Sequence, residues 1–114
     1  GRRGEAIAAK FLKRHSYRIL ARNLRHDFGE IDIVALSPDR RTLVIIEVKT
    51  ACEPQVLPEL RVGADKQRRL QSLGVQASRR LRCQHLPLRF DVIGVNVPAN
   101  GKIAIRHLSG AFQS

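Results

Sequence analysis

Asp32, Glu47 and Lys49 are charged residues set inside apolar runs, Ile31-Asp32-Ile33-Val34-Ala35-Leu36 and Val44-Ile45-Ile46-Glu47-Val48-Lys49. A charge in such a run is costly to bury and needs a partner or a task. The stretch Ser37-Pro38-Asp39-Arg40-Arg41 between them is turn chemistry, so the two runs read as a hairpin. With the turn centred between Asp39 and Arg40, residues whose numbers sum to 79 lie opposite one another. Asp32 then faces Glu47 and Glu30 faces Lys49, with directly opposed Cβ atoms about 4.5 to 5.5 Å apart. In this register Glu30, Asp32 and Val34 share one face and Ile31, Ile33 and Ala35 the other. A slip of one residue would send Glu47 and Lys49 to the opposite side.

Two carboxylates held that close repel, and they must protonate or find a cation. Oxygen ligands of this kind suit Mg²⁺ or Mn²⁺, which keep waters and take one or two protein carboxylates plus a substrate phosphate. Lys49 beside them would orient or help deprotonate an attacking water, or stabilise charge developing on phosphorus. A salt-bridge ladder on a solvated sheet face uses the same residue types. The apolar setting of Ile45-Ile46-Glu47-Val48-Lys49, that of an interior strand, favours the metal-centred reading.

The elements that must position these groups follow from periodicity. Ile7, Ala8, Phe11, Leu12 and His15 recur at three- and four-residue steps and predict a helix over 4–15, with Glu5 in its first turn. Strands are expected over Tyr17 to Arg25, Phe28 to Leu36 and Leu43 to Thr50. The stretch from Glu53 to Pro58, with two prolines, reads as irregular. A long helix over Ala64 to Arg82 carries an apolar stripe of Leu70, Leu73, Gly74, Ala77 and Leu81 and an outer face of Arg68, Arg69, Arg79 and Arg80. Strands over Arg89 to Val97 and Lys102 to Leu108 follow, then a short tail from Ala111. The order α-β-β-β-α-β-β predicts an α/β fold with a mixed central sheet of about five strands flanked by helices.

Composition narrows the partners. The 114 residues suffice for one domain, taken to span 1–114. They carry 21 Lys plus Arg against 10 Asp plus Glu, a net charge of +11, made of 16 Arg and 5 Lys. Arginine forks onto phosphate oxygens, so nucleic acid is the first partner to consider. The acids gather where the chain is less basic, with 7 of the 10 in residues 1–57. No run is long and apolar enough to span a bilayer, and no secretory h-region opens the chain, so no membrane and a cytoplasmic location are expected. Cys52 and Cys83 read as reduced thiols, and no Cys/His spacing suits structural zinc. Only five aromatic residues occur, Phe11, Tyr17, Phe28, Phe90 and Phe112, most at core-like positions, which argues against a base-stacking platform.

Asp32, fourteen residues, then Glu47-Val48-Lys49 resembles the D-(x)n-(D/E)-x-K signature of the PD-(D/E)XK nucleases, whose fold is restriction endonuclease-like. A wider set of motifs resembles the YraN-like family of bacterial proteins, itself similar to archaeal Holliday junction resolvases. That set is Gly1-Arg2-x-Gly4-Glu5, Asn23-x-Arg25, Gly29-Glu30-Ile31-Asp32, Val44-x-x-Glu47-Val48-Lys49-Thr50, Lys66-Gln67-Arg68-Arg69-Leu70, Arg89-Phe90-Asp91-Val92 and Ile105-x-His107 to Phe112. It covers nearly the whole chain. Ile31 stands where the signature has proline, and Ala51-Cys52 stand where the family commonly has an arginine.

The resemblance implies roles. Asp32, Glu47 and Glu5 would be metal ligands for Mg²⁺ or Mn²⁺, Lys49 the catalytic lysine, and Glu30 an outer-shell acid. Gln67 would be a polar catalytic residue on the helix after the E-x-K strand; at the start of that helix it is equally a solvated glutamine. Arg25, Lys66, Arg68 and Arg69 would contact nucleic-acid phosphates. The implied activity is a metal-dependent endonuclease acting on DNA, branched DNA included, with a homodimer implied because related resolvases cut two strands as dimers. Two other readings stay open: a nucleic-acid-binding protein of the same fold with little or no catalysis, and a nuclease directed at RNA.

Overall fold

A computed structural model describes residues 2–52 and 59–113. The expected irregular stretch from Glu53 to Pro58 lies outside the described residues. The elements are α1 (Arg2–Arg14), β1 (Arg18–His26), β2 (Gly29–Leu36), β3 (Leu43–Ala51), α2 (Ala64–Arg80), β4 (Leu88–Asn96) and β5 (Ala104–Phe112). The strands form one mixed five-stranded open sheet in the order β1-β2-β3-β4-β5. All neighbours are antiparallel except β3 and β4, which are parallel and joined through α2. This is the expected α-β-β-β-α-β-β architecture.

The two helices cover opposite faces. On one, Leu70, Leu73 and Ala77 of α2 pack on Ile31, Val34, Ile45, Phe90 and Val92. On the other, Ala8, Ala9 and Leu12 of α1 pack on Ile33, Ala35, Val44, Ile46, Ile93 and Val95. The central strand β3 is therefore buried on both faces, which is why Leu43 to Ile46 is a continuous apolar run rather than an alternating one. Two glycines permit close approach. A Cβ at Gly74 would press on Phe90 and Ile45, so glycine lets α2 lie down on the sheet. A Cβ at Gly4 would overlap Thr50 Oγ1, so glycine lets the first turn of α1 reach the far end of β3.

Three expectations need correction. The last strand starts later and runs through the expected tail: Phe112 pairs with Phe90, and their rings stack at 4.9 Å. The hairpin register holds for Ile33↔Ile46 through Leu36↔Leu43, but the β2–β3 ladder goes no further. Glu30 pairs with Arg25 of β1 instead of lying across from Lys49. The simple alternation of β2 also fails, because Ile31 and Val34 enter the same core while Ile33 and Ala35 enter the other. The break falls at Asp32, and Asn23, in a left-handed conformation at φ 52°, occupies the facing position of β1.

Candidate metal centre

Where β2 and β3 stop pairing, the Asp32 side chain takes the place of the missing backbone partner. Its Oδ2 accepts the Val48 N–H at 2.7 Å. The splay opens the end of the sheet, and carboxylates from three elements enter it. Glu5 arrives from the first turn of α1, admitted by Gly4. Glu30 and Asp32 come from β2. Ligand oxygens of Glu5, Glu30 and Asp32 all lie within 4.8 Å of one another. Glu47, buried on β3, shares a hydrogen bond with Asp32.

The electrostatics of this cluster are unfavourable as it stands. Burial, then the hydrogen bond and charge of Glu47, then the charge of Glu5, push the Asp32 carboxyl up to about 7, against the opposing pull of the Val48 N–H. Glu5 Oε1 is buried and has no hydrogen-bond partner among the described residues. Buried polar atoms are seldom left that way without a reason. Hard oxygen donors crowded on one another, one of them orphaned, are the kind of set that Mg²⁺ or Mn²⁺ takes.

The remaining residues singled out in the sequence are placed as follows. Lys49 Nζ donates to the Arg61 carbonyl at 2.5 Å, and so ties down the segment leading into α2. Gln67 donates from Nε2 to the Val62 carbonyl at 2.8 Å, holding the same segment from the helix side. Neither reaches the carboxylates in this arrangement. Lys66, its side chain half exposed, forms an ion pair with Glu47 and so supplies a cation to the buried acid. Arg68 pairs with Asp65, while the stem of Arg69 lies beside Gly29. Arg25 pairs with Glu30 at 3.3 Å, and its carbonyl accepts from Arg80 Nη1 at 3.0 Å. Phe28, counted among mostly core-like aromatics, is instead 62% exposed at the β1–β2 turn.

A second polar assembly sits toward the other end of the sheet. Asp91 is 1% exposed. Its oxygens accept Arg89 Nε at 2.9 Å, Arg89 Nη2 at 2.8 Å and the Gly110 N–H at 2.9 Å, and His107 Nε2 lies 2.7 Å away. Arg89 Nη2 also donates to the Tyr17 hydroxyl at 2.8 Å. Burial would raise the Asp91 carboxyl, but His107, Arg89 and the Gly110 N–H outweigh it and hold it below the usual carboxylate range. Residue pattern does not show that these groups meet, because they come from β4, β5 and the connection between α1 and β1 and are brought together only by the fold. Arg89-Phe90-Asp91 and His107 both belong to motifs visible in the sequence, but neither motif indicates that the two meet.

Among the described residues no helix is long and apolar enough to cross a membrane. Among solved structures, the chain is similar to Pyrococcus furiosus SfsA in complex with Ca²⁺, at 13% identity and a TM-score of 0.40, over 94% of this chain and 61% of that one. Its relatives include a UPF0102 protein of Pelobacter propionicus, 40% identical over 99% of this chain and 81% of the relative. A UPF0102 protein of Symbiobacterium thermophilum is 41% identical over 100% of this chain and 96% of the relative. The profile described as uncharacterised protein family UPF0102 matches residues 4–95, and the chain belongs to that family.

Proposed function

We propose that this protein is a metal-dependent hydrolase of phosphodiester bonds in nucleic acid, with DNA as its first substrate. The observation that carries the reading is the convergence of Glu5, Glu30 and Asp32 within 4.8 Å, beside buried Glu47, in a chain whose net charge is +11. Such a centre repels phosphate unless a cation is bound, and the basic surface around it attracts phosphate. When bound, a divalent cation supplies polarisation of a phosphoryl oxygen and acidification of water. Asp32, Glu5 and Glu47 are its proposed ligands, with Glu30 completing the acidic rim. Lys49 reaches toward the phosphate once it exchanges the Arg61 carbonyl for substrate. Arg25, Arg68 and Arg69 hold flanking phosphates. A second copy of the chain is the proposed arrangement for cutting two strands of a branched duplex.

The test is cleavage of labelled linear, single-stranded and four-way-junction DNA, and of a matching RNA panel, with Mg²⁺, Mn²⁺ or chelator. Cutting that needs metal and is lost in Asp32→Asn and Lys49→Ala supports the reading. Cutting of RNA alone reassigns the substrate. The tethering of Lys49 and Lys66 to the protein's own groups favours a second reading, a nucleic-acid binder without turnover. That reading predicts no cleavage by wild type and affinity that survives Asp32→Asn and falls steeply with salt.

A further inference from the structure

Phe28 stands at the tip of the β1–β2 turn, between Asp27 and Gly29, with 62% of its surface exposed. Folding does not ask for it there. Tight turns are built from Gly, Asn, Asp and Ser, and an exposed ring contributes nothing to either core. Its neighbours describe a ligand. It lies two residues from Glu30 and four from Asp32, at the same end of the sheet as the acidic cluster. Arg25, His26, Gly29 and Glu30 line a cavity of about 300 Å³ beside it. His26 Nε2 is buried there without a hydrogen-bond partner among the described residues. The stem of Arg69 lies against Gly29, and Arg80 is bonded to the Arg25 carbonyl, so α2 brings two more guanidinium groups to the hairpin. An exposed aromatic ring on a hairpin that carries Arg25 and is met by Arg69 and Arg80 of α2 is the arrangement that takes a nucleobase on its face while cations hold neighbouring phosphates.

We propose that Phe28 is a stacking residue for one unpaired base next to the phosphate held at the acidic cluster, so that the substrate is nucleic acid with an unstacked nucleotide at a branch, flap, gap or single-stranded end. This rests on the nucleic-acid reading of the site and adds the substrate class to it. Within a continuous duplex every base is stacked on its neighbours, and the ring gains nothing. At an unpaired position the base is already free and stacks without the cost of extrusion.

The experiment measures binding with Ca²⁺ in place of Mg²⁺, which neutralises the acidic cluster, and over times in which no DNA is cut, so that it does not depend on catalysis. Wild type, Phe28→Ala and Phe28→Trp are titrated against a continuous duplex and against a duplex with a three-nucleotide gap carrying 2-aminopurine. Wild type is expected to bind the gapped DNA more tightly and to quench the 2-aminopurine. Phe28→Ala should lose about tenfold in affinity for gapped DNA and lose the quench, stay within twofold on duplex, and keep the wild-type melting temperature; Phe28→Trp should restore both. Equal affinity and quench in wild type and Phe28→Ala overturn the proposal, as does an equal loss on both DNAs. A change in oligomeric state on Phe28→Ala, read by light scattering, also overturns it by assigning the ring to a contact between copies. Absence of metal-dependent cleavage with the quench intact defeats the hydrolase reading alone.

Discussion

Asp91 and Asp32 are both acids inset in β-strands of one sheet, and their surroundings differ in sign. Asp91 is met by the Arg89 guanidinium, His107 and the Gly110 N–H, and its carboxyl is held low. Asp32 is met by Glu47 and Glu5, has the Val48 N–H to set against them, and is pushed up to about 7. The first is a finished ion pair that binds β4 to β5 and, through Tyr17, to the connection between α1 and β1. The second is an acidic cluster whose ion pairs, from Lys66 and Arg25, fall on Glu47 and Glu30 rather than on Asp32. One buried acid is satisfied by its neighbours and the other lies among like charges, and it is this contrast that the proposed metal reading rests on.

Four predictions probe that contrast. Asp91→Ala leaves the partly buried Arg89 and the Gly110 N–H without their acceptor and should cost about 2–4 kcal/mol, read as a loss of about 10 °C or more in melting temperature. Asp32→Asn should do the reverse to stability while removing metal-dependent cleavage by more than about a hundredfold. In metal-free protein at pH 8 it removes an unfavourable negative charge and should stabilise by on the order of 1 kcal/mol, its partial exposure allowed for. A destabilised Asp32→Asn would show that the acid is structural like Asp91. Third, Gly4→Ala forces α1 away from Thr50 and so withdraws Glu5. Mn²⁺ affinity, measured by calorimetry, should fall about tenfold, with folding stability lowered by about 1–3 kcal/mol.

The smallest effect is in the pH dependence. Asp32 has a folded value near 7, above the ordinary 3.8, so its favourable contribution is present at low pH and is lost as pH rises toward and through 7. Asp91, held below 3.8, contributes above that value and loses its contribution as pH falls through its lowered folded value. Without metal, melting temperature should therefore rise by a few degrees from pH 8 to pH 5 and decline again below about pH 4. Adding Mn²⁺ should raise it more at pH 8 than at pH 5, because the ligand set must be ionised. A metal response that is the same at both values would detach Asp32 from the metal.

Much of this was legible in the residues. Helical steps in Ile7, Ala8, Phe11 and Leu12, turn chemistry at Ser37 to Arg41 and the apolar run into Glu47 set the element order and the hairpin register near the turn. Other features were not. The end of β5 was hidden because Ala111-Phe112 has no alternation of its own; Phe112 is held by stacking on Phe90 from another strand. The exposure of Phe28 was hidden because an aromatic beside Gly29-Glu30-Ile31 looks like the start of a buried strand.

What the sequence by itself determined is the list of actors and the order of elements, since periodicity, turn residues and charge inside apolar runs are local properties. It also determined that acids concentrate in a basic chain. Only the tertiary structure decided how those acids meet. The β2–β3 ladder stops at Ile33↔Ile46, Asp32 replaces a backbone acceptor, and Gly4 lets Glu5 in, while Lys49 and Lys66 are drawn to Arg61 and Glu47. It alone decided that Asp91 is satisfied and Asp32 is not. The reason is physical: the cost of a buried charge depends on what the rest of the chain brings within a few ångströms, and sequence spacing does not contain that distance.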